Sequence, residues 1–288
     1  MTKPVDIIPY AFGNAAQNTA CALGADQLKN ALLKTDFATH LIIHPSLSTP
    51  HRTQQQHALP DVVQLNEALA QITRESVLHR RFFITLGGDH TVAIGSWSGA
   101  AAAIQGDLGL IWFDAHMDSH TPQTSPSQNI HGMPLAILLG QGYPALTTLL
   151  SEQPKVKPEN CALIAVRSYE PGEAALLKKL GVKIFYMDDI KKNGLHQVLL
   201  DALHIVTRHT HHFGISIDLD GFDPTDAPGV GTRAPDGVCA HDFLAEFSII
   251  AHHPKLIGAD IAEFNPTLDS DHKTEKLAVA LCCEFINR

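Results

Sequence analysis

Leu108-Gly109-Leu110-Ile111-Trp112-Phe113-Asp114-Ala115-His116-Met117-Asp118 is the stretch from which the rest of the chain can be read. Its first half is apolar without polar alternation, the pattern of a strand buried on both faces. Asp114, His116 and Asp118 follow at a spacing of two. On an extended segment that spacing sets all three side chains on one face. Acids gathered at the end of a buried strand are costly unless cations neutralise them. The same design returns at Phe213 to Ile217, another apolar run, followed by Asp218-Leu219-Asp220.

Outward from these two stretches, extended and helical patterns alternate. Arg81 to Leu86 reads as a short strand ending in Gly87-Gly88-Asp89-His90. Cys161 to Val166, Lys183 to Met187 and Leu256 to Ile261 read as further strands, the last running into Glu263-Phe264-Asn265-Pro266. Between them, Val62, Leu65, Leu69 and Ile72 repeat at helix spacing after Pro60-Asp61. Leu135 to Leu139 continues as helix beyond His131-Gly132. Leu176, Leu177 and Leu180 mark one helix face, with Gly181 as its stop. Apolar strands separated by helices predict an α/β fold, a single-domain three-layer α/β/α arrangement around a mostly parallel sheet. Without linker, repeat or low-complexity stretch, residues 1–288 are expected to form one domain. In such sheets functional groups gather at the carboxyl ends of the strands. All the acid- and histidine-bearing stretches fall there except Asn129-Ile130-His131-Gly132, which sits in the long loop before Leu135.

Composition narrows the function. The chain has 288 residues, 44% hydrophobic and 18% charged, and a formal charge of −9. No basic stripe points to nucleic acid. No apolar run reaches the roughly 20 residues of a membrane span. Met1-Thr2-Lys3-Pro4 lacks the apolar stretch of a signal peptide, so a cytoplasmic location is expected. Five cysteines, odd in number and without Cys-x-x-Cys spacing, read as buried free thiols in a reducing compartment. Of the 18 histidines, those at 209, 211, 212, 252 and 253 read as surface or capping residues.

The candidate ligands are His90, Asp114, His116, Asp118, Asp218 and Asp220: four carboxylates and two imidazoles, without a thiolate. That donor set suits Mn²⁺ and argues against a structural zinc site. Two metals about 3.5–4 Å apart can share a bridging hydroxide, a nucleophile near neutral pH.

Gly87-Gly88-Asp89-His90, Asp114-Ala115-His116-Met117-Asp118 and Ser216-Ile217-Asp218-Leu219-Asp220-Gly221-Phe222-Asp223-Pro224 resemble the three signatures of the ureohydrolase family, which includes arginase and agmatinase. Ser127-Gln128-Asn129-Ile130-His131-Gly132-Met133-Pro134 is similar to the arginase version, which carries Gly at the position of Gln128. The resemblance runs from about Gly24 to the C-terminus. It implies a first Mn²⁺ held by His90, Asp114, Asp118 and Asp218, and a second held by Asp114, His116, Asp218 and Asp220, with Asp114 and Asp218 bridging. Co²⁺, Ni²⁺ or Fe²⁺ can substitute. It further implies that the bridging hydroxide, hydrogen-bonded to Asp118, attacks a guanidinium carbon. Glu263 pairs with that guanidinium, and His131 shuttles protons to the leaving amine. L-arginine is then the expected substrate, with L-ornithine and urea as products. Ser127, Asn129, Glu170, Glu173 and His120 are implied as substrate-binding residues around the amino-acid end, and Thr232 near the guanidinium. The family also implies a homo-oligomer, a trimer or hexamer. Asp89 reads as a supporting or turn residue, and Asp223 as a turn former.

The chain departs from the arginase pattern in places. His120 aligns with a common Asn, and Glu170 with an Asp that in the family binds the substrate's α-amino group. Arg233 stands in Gly231-Thr232-Arg233-Ala234-Pro235, where a cation would repel a guanidinium unless it points away. Only Gly24-Ala25-Asp26-Gln27-Leu28 matches near the N-terminus. Agmatine, guanidinobutyrate and formiminoglutamate are the alternative substrates. Ser127 and the His131 loop speak against agmatine, which lacks a carboxylate. A catalytically silent binding subunit is opposed by the presence of all six ligands, His131 and Glu263. A zinc deacetylase is opposed by His116 and Asp220.

Overall fold

A computed structural model describes residues 4–51 and 53–288; the N-terminal reading of Met1-Thr2-Lys3 lies outside the described residues. The eight strands are β1 (Val5–Tyr10), β2 (Leu41–Ile43), β3 (Phe82–Gly87), β4 (Leu108–Phe113), β5 (Cys161–Val166), β6 (Lys183–Tyr186), β7 (His212–Asp218) and β8 (Leu256–Ala262). They form one sheet in the order β2-β1-β3-β8-β7-β4-β5-β6. Every pairing is parallel. The expected α/β architecture is borne out, and it is wholly rather than mostly parallel.

The inner strands are apolar throughout because both faces are covered. Ile84, Leu86, Ile111, Phe113, Ile215 and Ile217 pack on one face. Phe83, Leu110, Trp112 and Leu163 pack on the other, with Trp97 from the helix Val92–Ala103. The helices Leu59–Leu78 and Pro171–Leu180 lie where the sequence puts them, and the second ends on Gly181 in the left-handed conformation. β1 and β2 were not expected. β1 contains Asp6 and Pro9, and β2 is three residues long, so neither shows a strand pattern.

The strand order explains why distant stretches meet. The central four strands, β3-β8-β7-β4, are those followed by His90, Glu263, Asp218 and Asp114. Gly88 lets the β3 turn pass close to a neighbouring loop: a Cβ there would lie 1.8 Å from the Phe12 carbonyl oxygen. Gly24 does the same beneath Phe264, whose carbonyl oxygen would lie 2.2 Å from an added Cβ.

Candidate metal centre

Asp114 is the hub. Its Oδ2 lies 3.4 Å from His90 Nδ1, and its Oδ1 lies 3.5 Å from His116 Nδ1. Two donor sets therefore share it. In the first, His90, Asp114, Asp118 and Asp218 bring one ligand atom each within 4.8 Å of one another; in the second, Asp114, His116 and Asp220 do so. His90 Nδ1 lies 2.9 Å from Asp118 and 3.1 Å from Asp218, and His116 Nδ1 lies 3.1 Å from Asp220. Asp218 falls in the first set. Its Oδ1 accepts the Asp220 N–H at 2.9 Å.

The convergence is not that of extended segments. Asp114 Oδ1 accepts the His116 N–H at 2.6 Å, which bends the chain after β4. Asp118 then adopts the left-handed conformation at φ 45°. The bend sends His116 toward Asp220 and Asp118 toward His90, so the three ligands split between two sets instead of sharing one face. Likewise Asp218 ends β7, but Asp220 belongs to the 3₁₀ turn Leu219–Gly221.

The donor set fits a pair of cations. His90 Nδ1 is buried and has no hydrogen-bond partner of good geometry among the described residues, although three carboxylates surround it. Its Nε2 donates to Ser216 Oγ at 2.9 Å, and Ser216 Oγ donates to Asp260 Oδ1 at 2.6 Å. That relay fixes the tautomer and turns the Nδ1 lone pair into the acid cluster. Trp112 stacks on the ring with centroids 4.3 Å apart, and its N–H donates to Asp114 Oδ2 at 2.9 Å. With protons alone the cluster is frustrated. Burial opposes charge on His90 and His116, yet the carboxylates outweigh it and hold both well above the ordinary imidazole range. Burial and the neighbouring acids push Asp218 and Asp118 up, and Asp220 up to about 6. Asp114 goes the other way: burial opposes it, but its two imidazole neighbours hold it low.

Glu263 lies beside this cluster. It is buried, with φ 65°, and its own N–H donates to the Gly88 carbonyl at 2.8 Å. Its Oε1 accepts the His90 N–H at 3.0 Å and meets His131 Nδ1 at 2.9 Å. Burial works against charge on both side chains, but the pairing wins: Glu263 is held low and His131 is pushed up to about 9. Asp89 supports from behind, accepting N–H groups from Ala15 at 3.0 Å and Thr91 at 3.2 Å. Burial and Glu263 push it up to about 7.

The residues expected at the substrate end differ in exposure and in what they pair with. His120 meets Glu170 at 2.9 Å and Glu173 at 3.5 Å, a third set within 4.8 Å. Ser127 is exposed and accepts the Asn129 N–H at 3.2 Å. The Asn129 Oδ1 is buried without a partner among the described residues. Thr232 is exposed, on a loop brought beside Glu263 by the bridge between Val230 and Phe264. Arg233 points away from the acids: its guanidinium donates to the carbonyls of Pro228 and, at 3.2 Å, Leu268. Asp223 makes the expected turn by accepting the Thr225 N–H at 2.9 Å. The thiol reading needs one correction: Cys21, Cys161 and Cys282 are buried, but Cys239, just before the helix Ala240–Glu246, is exposed, and Cys283, next to buried Cys282 on the helix Lys273–Ile286, is half-buried.

The sequence reading missed the supporting groups. Trp112, Ser216 and Asp260 were read only as strand or motif residues; an acid inside the buried β8 was the available signal. Arg167 was missed as well. Following β5, it donates to the carbonyls of Ala165, Asp220, Gly221, Phe222, Ala234 and Pro235. It thereby clamps the Asp220 turn from below.

An all-parallel sheet with two linked carboxylate–imidazole sets at its strand ends defines a class: α/β proteins built to hold a pair of divalent cations. Comparison with known proteins makes the class specific. The Arginase family model matches residues 3–287. An arginase from Brevibacillus brevis is 41% identical over 82% of this chain and 80% of its own. One from Staphylococcus aureus (strain COL) is 38% identical over 99% and 97%. The crystal structure of the Bacillus caldovelox arginase superposes with a TM-score of 0.92 at 35% identity, covering 99% of both chains. The chain belongs to the arginase family, and it is a metal-dependent hydrolase of guanidino compounds.

Proposed function

We propose that the protein hydrolyses L-arginine to L-ornithine and urea, using two Mn²⁺ ions. The carrying observation is Asp114, whose two oxygens face the two donor sets separately. The proposed ligands are His90, Asp114, Asp118 and Asp218 for one ion, and Asp114, His116, Asp220 and Asp218 for the other. The oxygen-rich donors favour Mn²⁺, with Co²⁺, Ni²⁺ or Fe²⁺ as substitutes. When bound, such a pair supplies Lewis acidity that makes water a nucleophile near neutral pH.

The protein's own groups do the rest. Glu263 keeps its charge, and with Oε1 engaged by His90 and His131, Oε2 is left for the guanidinium N–H groups. That holds the guanidinium carbon against the cluster. Asp118 accepts a hydrogen bond from the attacking water and orients it. His131, raised to about 9, carries its proton at neutral pH. Glu263 fixes Nδ1, so Nε2 delivers the proton to the departing amine. Ser127, Asn129, Glu170 and Glu173 are assigned to the amino-acid end of the substrate, with His120 behind Glu170, and Thr232 to the guanidinium end.

Urea release from Mn²⁺-loaded protein, with L-arginine and agmatine side by side, tests the reading. Release from arginine and not from agmatine is expected. Release from agmatine, or from neither, would move the activity to agmatine, guanidinobutyrate or formiminoglutamate. We further propose one domain over residues 1–288, a cytoplasmic location and a homotrimer or homohexamer. Among the described residues no helix is long and apolar enough to cross a membrane.

A further inference from the structure

His120 and Glu170, the two departures from the family pattern around the amino-acid end, touch each other. His120 Nε2 lies 2.9 Å from Glu170 Oε2. The imidazole is buried, whereas the Glu170 side chain is 57% exposed. A long, exposed carboxylate is thus held at one end by a buried ring. The ring is itself fixed. Its backbone N–H donates to the Gly132 carbonyl at 3.0 Å, tying it to the His131 turn. Its Nδ1 lies 3.1 Å from Thr124 Oγ1, which accepts the Thr121 N–H at 2.9 Å. An ionised Glu170 oxygen can only accept, so the contact at Nε2 needs the imidazole proton there, and Nδ1 is left to accept from the Thr124 hydroxyl, whose other acceptor, the Thr121 carbonyl, lies farther off at 3.4 Å. Glu173 is occupied differently: its two oxygens accept the N–H groups of Ser119 at 3.2 Å and Glu170 at 3.0 Å. Glu170 also caps the helix Pro171–Leu180 in a reciprocal box with Glu173, but it is the acid of the two that solvent and a ligand can reach.

We propose that His120 is a positioning residue. It holds the Glu170 carboxylate where the α-ammonium of the substrate arrives, and so sets the preference for guanidino substrates that carry that ammonium, without touching the substrate itself. The proposal rests on the arginine reading. The physical advantage is preorganisation: the side-chain torsions of Glu170 are ordered before binding rather than during it. The added methylene of Glu170 and the ring of His120 then act as one compensated pair.

The test compares Mn²⁺-loaded wild type with His120→Ala, His120→Gln, Glu170→Ala and the double alanine variant. L-arginine and 5-guanidinovalerate, which lacks only the α-ammonium, are the substrates. For His120→Ala the KM for arginine should rise roughly 10-fold with kcat changed less than about 2-fold, the scale of one charge-assisted hydrogen bond. The preference for arginine over guanidinovalerate should fall by a similar factor. His120→Gln, which can still donate to Glu170, should recover part of it. The double variant should be no worse than Glu170→Ala alone. Equal losses on both substrates, or additive losses in the double variant, would overturn the proposal while leaving the arginine reading intact. So would a third Mn²⁺ equivalent that His120→Ala no longer binds, since the ring would then be a ligand. Wild type inert toward arginine would overturn the arginine reading and this proposal with it.

Discussion

Gln128 stands where the resemblance leads one to expect glycine, and its backbone lies at φ 59°, in the left-handed region that favours glycine. A side chain there costs about 1–2 kcal/mol. The glutamine offsets this locally, donating through Nε2 to the carbonyls of Pro122 at 2.9 Å and Ser125 at 2.7 Å. Each such bond contributes about 1 kcal/mol net. Gln128→Gly should therefore stay within about 1 kcal/mol of wild type in a urea melt, whereas Gln128→Ala, keeping the strain and losing both bonds, should fall by about 1–2 kcal/mol. Equal stability of the two variants would show that the left-handed conformation carries no strain here, and an alanine variant as stable as wild type would show that the side-chain bonds contribute nothing. Residue identity was legible at this scale, and conformation was not. Asp114, His116 and Asp118 announce themselves as ligands by type and spacing. The spacing alone implied an extended segment, whereas the Asp114-to-His116 hydrogen bond and the positive φ of Asp118 make it a bend. A two-residue period does not reveal a turn made by the ligands themselves.

Among elements, β1 and β2 are both hidden in the sequence, and β1 is the one the sheet depends on. It lies between β2 and β3, so without it β2 has no neighbour. Its apolar pattern is broken by Asp6, and the break has a use. Asp6 is fully buried; Oδ2 accepts the Arg81 Nε–H at 2.7 Å and Oδ1 meets His44 Nε2 at 3.1 Å. Arg81 immediately precedes β3 and His44 follows β2, so one carboxylate ties three adjacent strands together. Burial pushes that carboxyl up, but hydrogen bonds from His44, Arg81 and Ser76 outweigh it and hold it below the usual carboxylate range. A carboxyl that ionises more readily in the folded chain stabilises it above the unfolded value, near pH 4, and that stabilisation is lost as pH falls through the folded value. Asp6→Asn should thus cost about 1–3 kcal/mol at pH 7. The gap to wild type should close on acidification below roughly pH 3. A gap independent of pH would assign the loss to packing rather than to charge. The strands bearing long apolar runs were legible because burial on both faces leaves a continuous signal. Their order in the sheet was not, since it rests on pairings between segments far apart in the chain.

Over the whole molecule, the two ends of the sheet are built differently. The amino end of β1 closes its buried charge internally, Asp6 against Arg81. The carboxyl end does not: four carboxylates meet two imidazoles, and His90 Nδ1 has no hydrogen-bond partner among the described residues. That imbalance makes global stability depend on cations. Each bound ion at about 100 times its Kd adds about 2.7 kcal/mol. Two ions should then raise the melting temperature by about 10 °C, at roughly 2 °C per kcal/mol for a chain of this size. The effect should grow with pH. In the metal-free chain His90 and His116 hold protons well above the imidazole range, and Asp220 holds one up to about 6. Those protons must leave for an ion to bind, so affinity rises as pH rises. Melting curves with Mn²⁺ and with excess chelator, at pH 6 and pH 8, check both points. The shift should be larger at pH 8. Asp218→Asn separates this account from general salt effects. Removing one acid relieves repulsion in the metal-free chain and weakens the first donor set, so the chelator should shift the variant less than wild type. A wild-type curve indifferent to chelator, or an equal shift in the variant, would mean that these strand-end acids are not where cations stabilise the protein.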